Sequence, residues 1–258
     1  MQINIRNITA TAKIVLIEAK RKKDFYVVFI FSALLIAILS SISFFDLKGT
    51  VRYVMEIALN IMWLFSIVAT VFFTAKQIPA ELENHTILPL LAKPISKTEF
   101  ILGKLLGSWL AISLGLMIFY IFFIFFSILS KEPFILSTCL QAYILHIFFV
   151  LLIASFSLTG SIIFSKGANI TLNFILIFTC FIFAEHLKVW AITLPALSQI
   201  SSLVCYYALP HLEFFDIKTL VIHAWQPMPA LIALSCILYA IIYSAIVIGV
   251  GVKRFNKK

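Results

Sequence analysis

Apolar runs of about 20 residues recur along this chain, and each is long enough to cross about 30 Å of hydrocarbon as an α-helix. The first is "FYVVFIFSALLIAILSSISFF" at 25–45. Five more follow, at about 54–75, 105–129, 140–165, 168–187 and 229–251. Charged residues are only 12% of the chain and its mean hydropathy is +1.09. A soluble domain carries roughly 25% charged residues, so this chain has too little polar surface to cover itself in water. The expected fold is all-α, a polytopic membrane protein with six transmembrane helices in a single transmembrane domain over residues 1–258.

The net charge is +9, but its placement speaks against nucleic acid as a partner. Most basic residues flank the apolar runs, where they anchor to headgroups and orient helices. Fifteen of the lysines and arginines fall on one side of the six crossings: the N-terminal stretch, residues 76–104, Lys166 and the "KRFNKK" tail. The other five are Lys48, Arg52, Lys131, Lys188 and Lys218. The positive-inside rule then puts both termini in the cytoplasm.

Residues 189–210 are long enough for a seventh span. An odd count would carry the basic tail outside, and Pro195 interrupts the run. A re-entrant or interfacial helical hairpin on the outer face, over about 188–226, agrees better with the charges. The N-terminal "RNITATAKIVLIEAKRKKD" places Ile8, Ala12, Val15, Leu16 and Ala19 on one helical face. It reads as an amphipathic interfacial helix along the inner leaflet, or as an extension of the first span.

Residues 76–104 stand apart from the apolar runs around them. In "KQIPAELENHTILPLLAKPIS" a short helix is expected to open near Pro79, with Glu81 and Glu83 in its first turn at the positive end of the dipole. Pro89 limits it, and Lys93-Pro94 forces an extended turn. Ser96 lies three residues before Glu99, the capping-box spacing, so a helix is expected to start at Lys97 and run into the third span. About thirty residues far exceed what a simple reconnection needs. The segment therefore reads as a docking element for a cytoplasmic partner, or as an interfacial helix resting on lipid.

"ELENHTILPLLAKPISKTEFILGKLLG" (81–107) resembles the loop between the second and third spans of ABC-2-type transporter permeases. It is most similar to the small six-span subgroup that includes the permeases of nitrous-oxide-reductase maturation. Thr86, Ile87, Leu90, Leu91, Lys93, Pro94, Ile95, Ser96, Lys97, Gly103 and Lys104 carry the resemblance, whereas His85 and Pro89 depart from the pattern. "YYALPHLEFFDIK" (206–218) and the N-terminal helix are similar too. The resemblance implies a coupling helix seated on a separate cytoplasmic ABC ATPase, with Glu81, Glu83, Thr86, Ile87, Leu90, Leu91, Lys93, Pro94, Ser96, Lys97 and Glu99 as the coupling residues. It also implies a second permease subunit, as a homodimer or a related chain, in the cytoplasmic (inner) membrane of a prokaryote. ATP and Mg would be held by the partner, since this chain has no G-x-x-x-x-G-K-[ST]. A scaffold or channel that recruits a soluble protein through the same loop is the alternative.

Within the spans, Glu56 and Asn60 share a face at i, i+4. They read either as part of a substrate path or as a headgroup-level pair reaching water. Ser155, Thr159, Ser161, Asn169 and Asn173 read as helix glue. His146, His186, His211 and His223 fall on or near the outer face in this reading, without ligand spacing. Cys139, Cys180, Cys205 and Cys236 lack any CxxC spacing and read as buried thiols. No G-x-S-x-G or H-E-x-x-H occurs, so the chain is expected to be no enzyme and to bind no cofactor of its own.

Overall fold

The computed structural model describes residues 4–21, 50–83, 95–193, 203–204, 206 and 209–257. Every regular element among them is helical. In chain order these are α1 (Ile5–Arg21), α2 (Thr50–Ala75), α3 (Gln77–Glu83), α4 (Lys97–Leu129), α5 (Leu136–Ile163) and α6 (Lys166–Thr193). A one-turn 3-10 helix (Leu212–Phe215), α7 (Lys218–Ile222) and α8 (Ala230–Asn256) follow. Among the described residues, four stretches are long and apolar enough to cross a bilayer: Val51–Glu81, Lys97–Leu129, Leu136–Ile163 and Ala230–Asn256. In α6 the shorter part Lys166–Ile182 is apolar. The expected first span, 25–45, lies outside the described residues, as do 194–202 of the expected outer hairpin.

Helix α5 occupies the centre. Leu145, Phe149, Val150, Leu152, Ala154 and Leu158 on it are wholly buried, and α2, α4, α6 and α8 all pack against it. Its sequence is apolar on every side, as a helix enclosed by others must be. Hydrogen bonds set its register against α8, which runs parallel to it, and against the segment that leads into α8. Thr138 Oγ1 donates to Trp225 O (2.8 Å), Gln141 Nε2 to Met228 O (2.9 Å), and Thr159 Oγ1 to Val247 O (3.2 Å). Such bonds replace the hydrophobic drive that lipid does not supply between helices. Asn169 acts in the same way, its Nδ2 donating to Ser157 O at 2.8 Å to hold α6 on α5. Exposed Leu114, Ile121, Phe122 and Phe125 on α4, and Leu234, Leu238 and Ile242 on α8, are suited to lipid contact.

His146 departs from the expected position near the outer face. It lies ten residues into α5 and is fully buried between α2 and α4. Its ring stacks on Trp63 with centroids 4.5 Å apart. The hydrogen bonds fix one consistent proton arrangement. Ser66 Oγ gives its own proton to Trp63 O (2.7 Å), so it accepts from His146 Nε2 (2.8 Å). That leaves His146 Nδ1 to accept from the Tyr120 hydroxyl at 3.5 Å. A histidine can be buried here because both ring nitrogens are partnered. Of the cysteines, Cys139, Cys180 and Cys236 are buried and free, and Cys205 lies outside the described residues.

Candidate functional site: the base of the 76–104 loop

Helix α2 reaches one end of the bundle, and a single turn residue, Lys76, separates it from α3. Pro79 has no amide proton, and its ring crowds the carbonyl four residues earlier, that of Ala75, where α2 stops. Helical bonding resumes with Ala80 N donating to Lys76 O at 3.1 Å. Helix α3 therefore starts at Gln77, and Glu81 and Glu83 both lie beyond its first turn. This corrects the expectation that they sit at the positive end of its dipole. Glu83 is exposed on the last residue, and Glu81 has a different partner.

That partner is Lys104, two turns into α4. Its Nζ lies 2.7 Å from Glu81 Oε1 and donates to Gln77 Oε1 at 3.1 Å. The ammonium also lies 5.7 Å from the centre of the Phe100 ring. Lys104 is only 1% exposed, so its charge requires these partners; a buried ammonium left alone would be strongly destabilising. The bond clamps the incoming leg of the loop to the outgoing one, 23 residues apart.

On the outgoing leg, Ser96 caps α4 in the expected capping box. Glu99 N donates to Ser96 Oγ (3.2 Å) and Ser96 N to Glu99 Oε2 (3.0 Å). The same carboxylate also caps α1: Asn4 N donates to Glu99 Oε1 at 2.7 Å and Asn7 Nδ2 to Glu99 Oε2 at 2.9 Å. One side chain thus holds two helix N-termini together. α4 is 33 residues long, about 50 Å against about 30 Å of hydrocarbon, and its charged residues Lys97, Glu99 and Lys104 all lie in the first two turns, so that end is the one suited to project. In that setting the bonds from Asn4, Asn7 and Ser96 hold the Glu99 carboxyl down to about 2.

Helix α1 lies along the start of α4 with Ile8, Thr11, Ala12, Val15 and Ala19 buried. Leu16, expected on that face, is only half-buried, and Thr11 takes a place there instead. Thr11 tolerates this because its hydroxyl donates to Asn7 O at 2.9 Å. The helices approach closely at Gly103 and Gly107, one turn apart. A Cβ on Gly103 would lie 2.5 Å from Thr11 Cβ, and one on Gly107 2.6 Å from Val15 Cβ. The apolar face of α1 therefore meets protein. Lys97 Nζ closes the assembly by donating to Phe255 O on α8 at 3.2 Å.

The loop base thus brings together Glu81, Ser96, Lys97 and Glu99 of the expected residues, with Glu83 exposed beside them. Thr86, Ile87, Leu90, Leu91, Lys93 and Pro94 lie outside the described residues. Sequence reasoning missed Asn4, Asn7, Gln77 and, as a site residue, Lys104. A lysine just inside an apolar run was the available signal for Lys104, since it needs an acidic partner wherever it is buried. Glu56 and Asn60 sit far from this base. Both are exposed on α2, and Asn60 Oδ1 accepts from Lys218 Nζ at 2.8 Å. No group of three or more metal-binding side chains occurs among the described residues.

A test of the Glu99 bonds follows from their sign. A carboxyl depressed from 4.5 to about 2 adds stability that is fully present above pH 4.5 and is lost as the pH falls toward 2. A spin label at exposed Lys13 is expected to stay immobile down to about pH 4.5 and to loosen below it. Glu99→Gln should loosen it already at neutral pH and flatten this dependence. A label that titrates identically in both proteins would contradict the double cap.

The architecture and the loop base describe a polytopic helical membrane protein whose two termini and one long loop are tied into a single assembly. The chain belongs to the ABC-2 family transporter proteins, whose family model matches residues 9–258. It is accordingly a multi-pass membrane component of the ABC-transporter permease type, a usually non-catalytic part that associates with an ATP-binding subunit. No curated protein matches the chain.

Proposed function

We propose that this chain is the six-span permease subunit of an ATP-driven transporter, in which residues 76–104 receive motion from a separate ATPase and pass it to the spans. The observation that carries this reading is the buried Lys104–Glu81 pair. With both legs of the loop clamped and α1 and α8 tied to the outgoing leg, a push on the tip between residues 83 and 95 displaces helices as a unit. A loop hinged at its base would absorb the push instead. Work transfer needs an element whose arrangement both sites bias, and a stiff base supplies one.

In this reading the chain pairs with a second copy or a related permease in the cytoplasmic membrane of a prokaryote, with both termini inside, and exports its cargo. Lysines and arginines crowd the loop end of the bundle, where Lys76, Lys97, Lys104, Lys166, Lys253 and Arg254 lie. At the other end Arg52 and Lys218 are paired with Glu132 and Asp216. That asymmetry supports a cytoplasmic loop. Membership of the nitrous-oxide-reductase maturation subgroup belongs to the same proposal and rests on the 87–104 motif.

The test uses proteoliposomes that hold the chain with the ATPase encoded beside it. Deletion of 83–95 is expected to abolish ATPase association. Lys104→Met should leave association intact but lower transport-coupled ATP turnover by at least tenfold. Full coupling in Lys104→Met would refute the lever. Partner binding that is indifferent to nucleotide would favour a recruiting scaffold.

A further inference from the structure

We infer that a lateral cavity between α5, α6 and α8 is a binding site for an anionic phospholipid, with one acyl chain inside and the phosphate among the cations at its mouth. The cavity measures about 370 Å³, within the range of about 300–1,000 Å³ of small-ligand sites. Ile163, Leu172, Ile246 and Val250 form its rim, and all four are at least 40% exposed. It therefore opens sideways, toward the medium that surrounds these spans.

The interior is suited to hydrocarbon. Four side chains with polar atoms line it: Tyr243, and three that donate to protein, Thr159 to Val247 O, Asn169 to Ser157 O, and Asn173 to Asn169 O and Oδ1. Thr159, Asn169 and Asn173 are thus engaged by the helices, and the other walls, Tyr243 apart, are apolar. Such a cavity favours an alkyl chain over a polar cargo, because its mostly apolar walls offer few partners to replace the water a polar ligand would lose.

The cations are placed by helical periodicity. On α8 the lining residues Tyr243, Ile246, Val247 and Val250 follow one face, which continues through Lys253 and Arg254 to Lys257. On α6 the face of Asn169, Leu172, Asn173 and Leu176 continues backward three residues to Lys166. All four cations are exposed, and none forms a salt bridge among the described residues. They stand at the loop end of the bundle, one or two turns beyond the cavity. A phospholipid in the leaflet on that side presents its phosphate at this level while its chains extend inward. Charge selects an anionic headgroup, at about fivefold in affinity per cation.

The experiment is native mass spectrometry of the full chain in detergent, titrated with phosphatidylglycerol or phosphatidylethanolamine. The first-bound phosphatidylglycerol is expected to bind more tightly than phosphatidylethanolamine. Lys166→Gln with Arg254→Gln should weaken phosphatidylglycerol about twenty-five-fold and reduce its preference over phosphatidylethanolamine by a similar factor. Val250→Trp, which fills the mouth, should remove the first-bound lipid of either kind. Equal binding of the two lipids to the native chain would overturn the proposal, as would an unchanged preference in the double variant. A disulfide between copies bearing Val250→Cys in membranes would overturn it in favour of a second copy covering the cavity.

Discussion

Replacing Lys104 with methionine is expected to destabilise the folded chain by about 3–5 kcal/mol, the cost of breaking a buried ion pair from one side. The Lys104 side chain is 2% exposed and that of Glu81 17%, so the Glu81 carboxylate keeps some access to water and the loss should fall at the lower end. The informative comparison is the double variant Lys104→Met, Glu81→Leu. Removing both charges takes away the uncompensated charge of the single variant and should recover much of the loss, because apolar replacements of a buried pair are often neutral or better. Denaturant or detergent titration of the purified protein measures both. A Lys104→Met protein within about 1 kcal/mol of the native one would show that the pair is not an isolated buried charge clamp. The double variant also separates stability from function: it is expected to be stable yet weakly coupled to ATP turnover, since the two legs of the loop are no longer tied by charge.

The second large effect concerns the seat of α1. Gly107→Leu places a Cβ 2.6 Å from Val15 Cβ, 2.8 Å from Ala12 O and 3.0 Å from Ala12 Cα. Two of these atoms belong to backbone, so no rotamer change relieves the clash and α1 has to move away. Overpacking of this kind costs about 1–3 kcal/mol. At about 2 kcal/mol the undocked fraction rises about thirtyfold, and cleavage within α1 follows that fraction when reclosing is fast. Trypsin should therefore cut at Lys13 and Lys20 correspondingly faster. Gly249→Leu is the control, since a Cβ there meets nothing within 4 Å, and it is expected to leave the cleavage rate unchanged. Equal rates in the two variants would mean that α1 is not held by this contact.

Much of the local structure was legible in the residues. The capping box of Ser96 and Glu99 placed the start of α4 at Lys97, because the two side chains bond to backbone within one turn. The periodicity of α1 likewise identified four of its five buried residues, Ile8, Ala12, Val15 and Ala19. Thr11 escaped because polarity alone marks threonine as surface, and its hidden bond to Asn7 O depends on the helix having formed. The assignment of Glu81 and Glu83 to a first turn failed for a related reason. It took Pro79 as an opening residue, whereas α3 begins two residues earlier, at Gln77.

By itself the sequence determined what each stretch of chain must become. Apolar length forces helices through lipid, prolines break them, and a serine–glutamate spacing starts them, all through forces acting over a few residues. Only the tertiary structure decided which distant groups meet. Glu99 reaches Asn4 across 95 residues, Lys104 reaches Glu81 across 23, and His146 finds Ser66 across 80. These partners depend on helix rotation and on which faces pack. Those are set by the summed contacts of the whole bundle, and no local pattern encodes them.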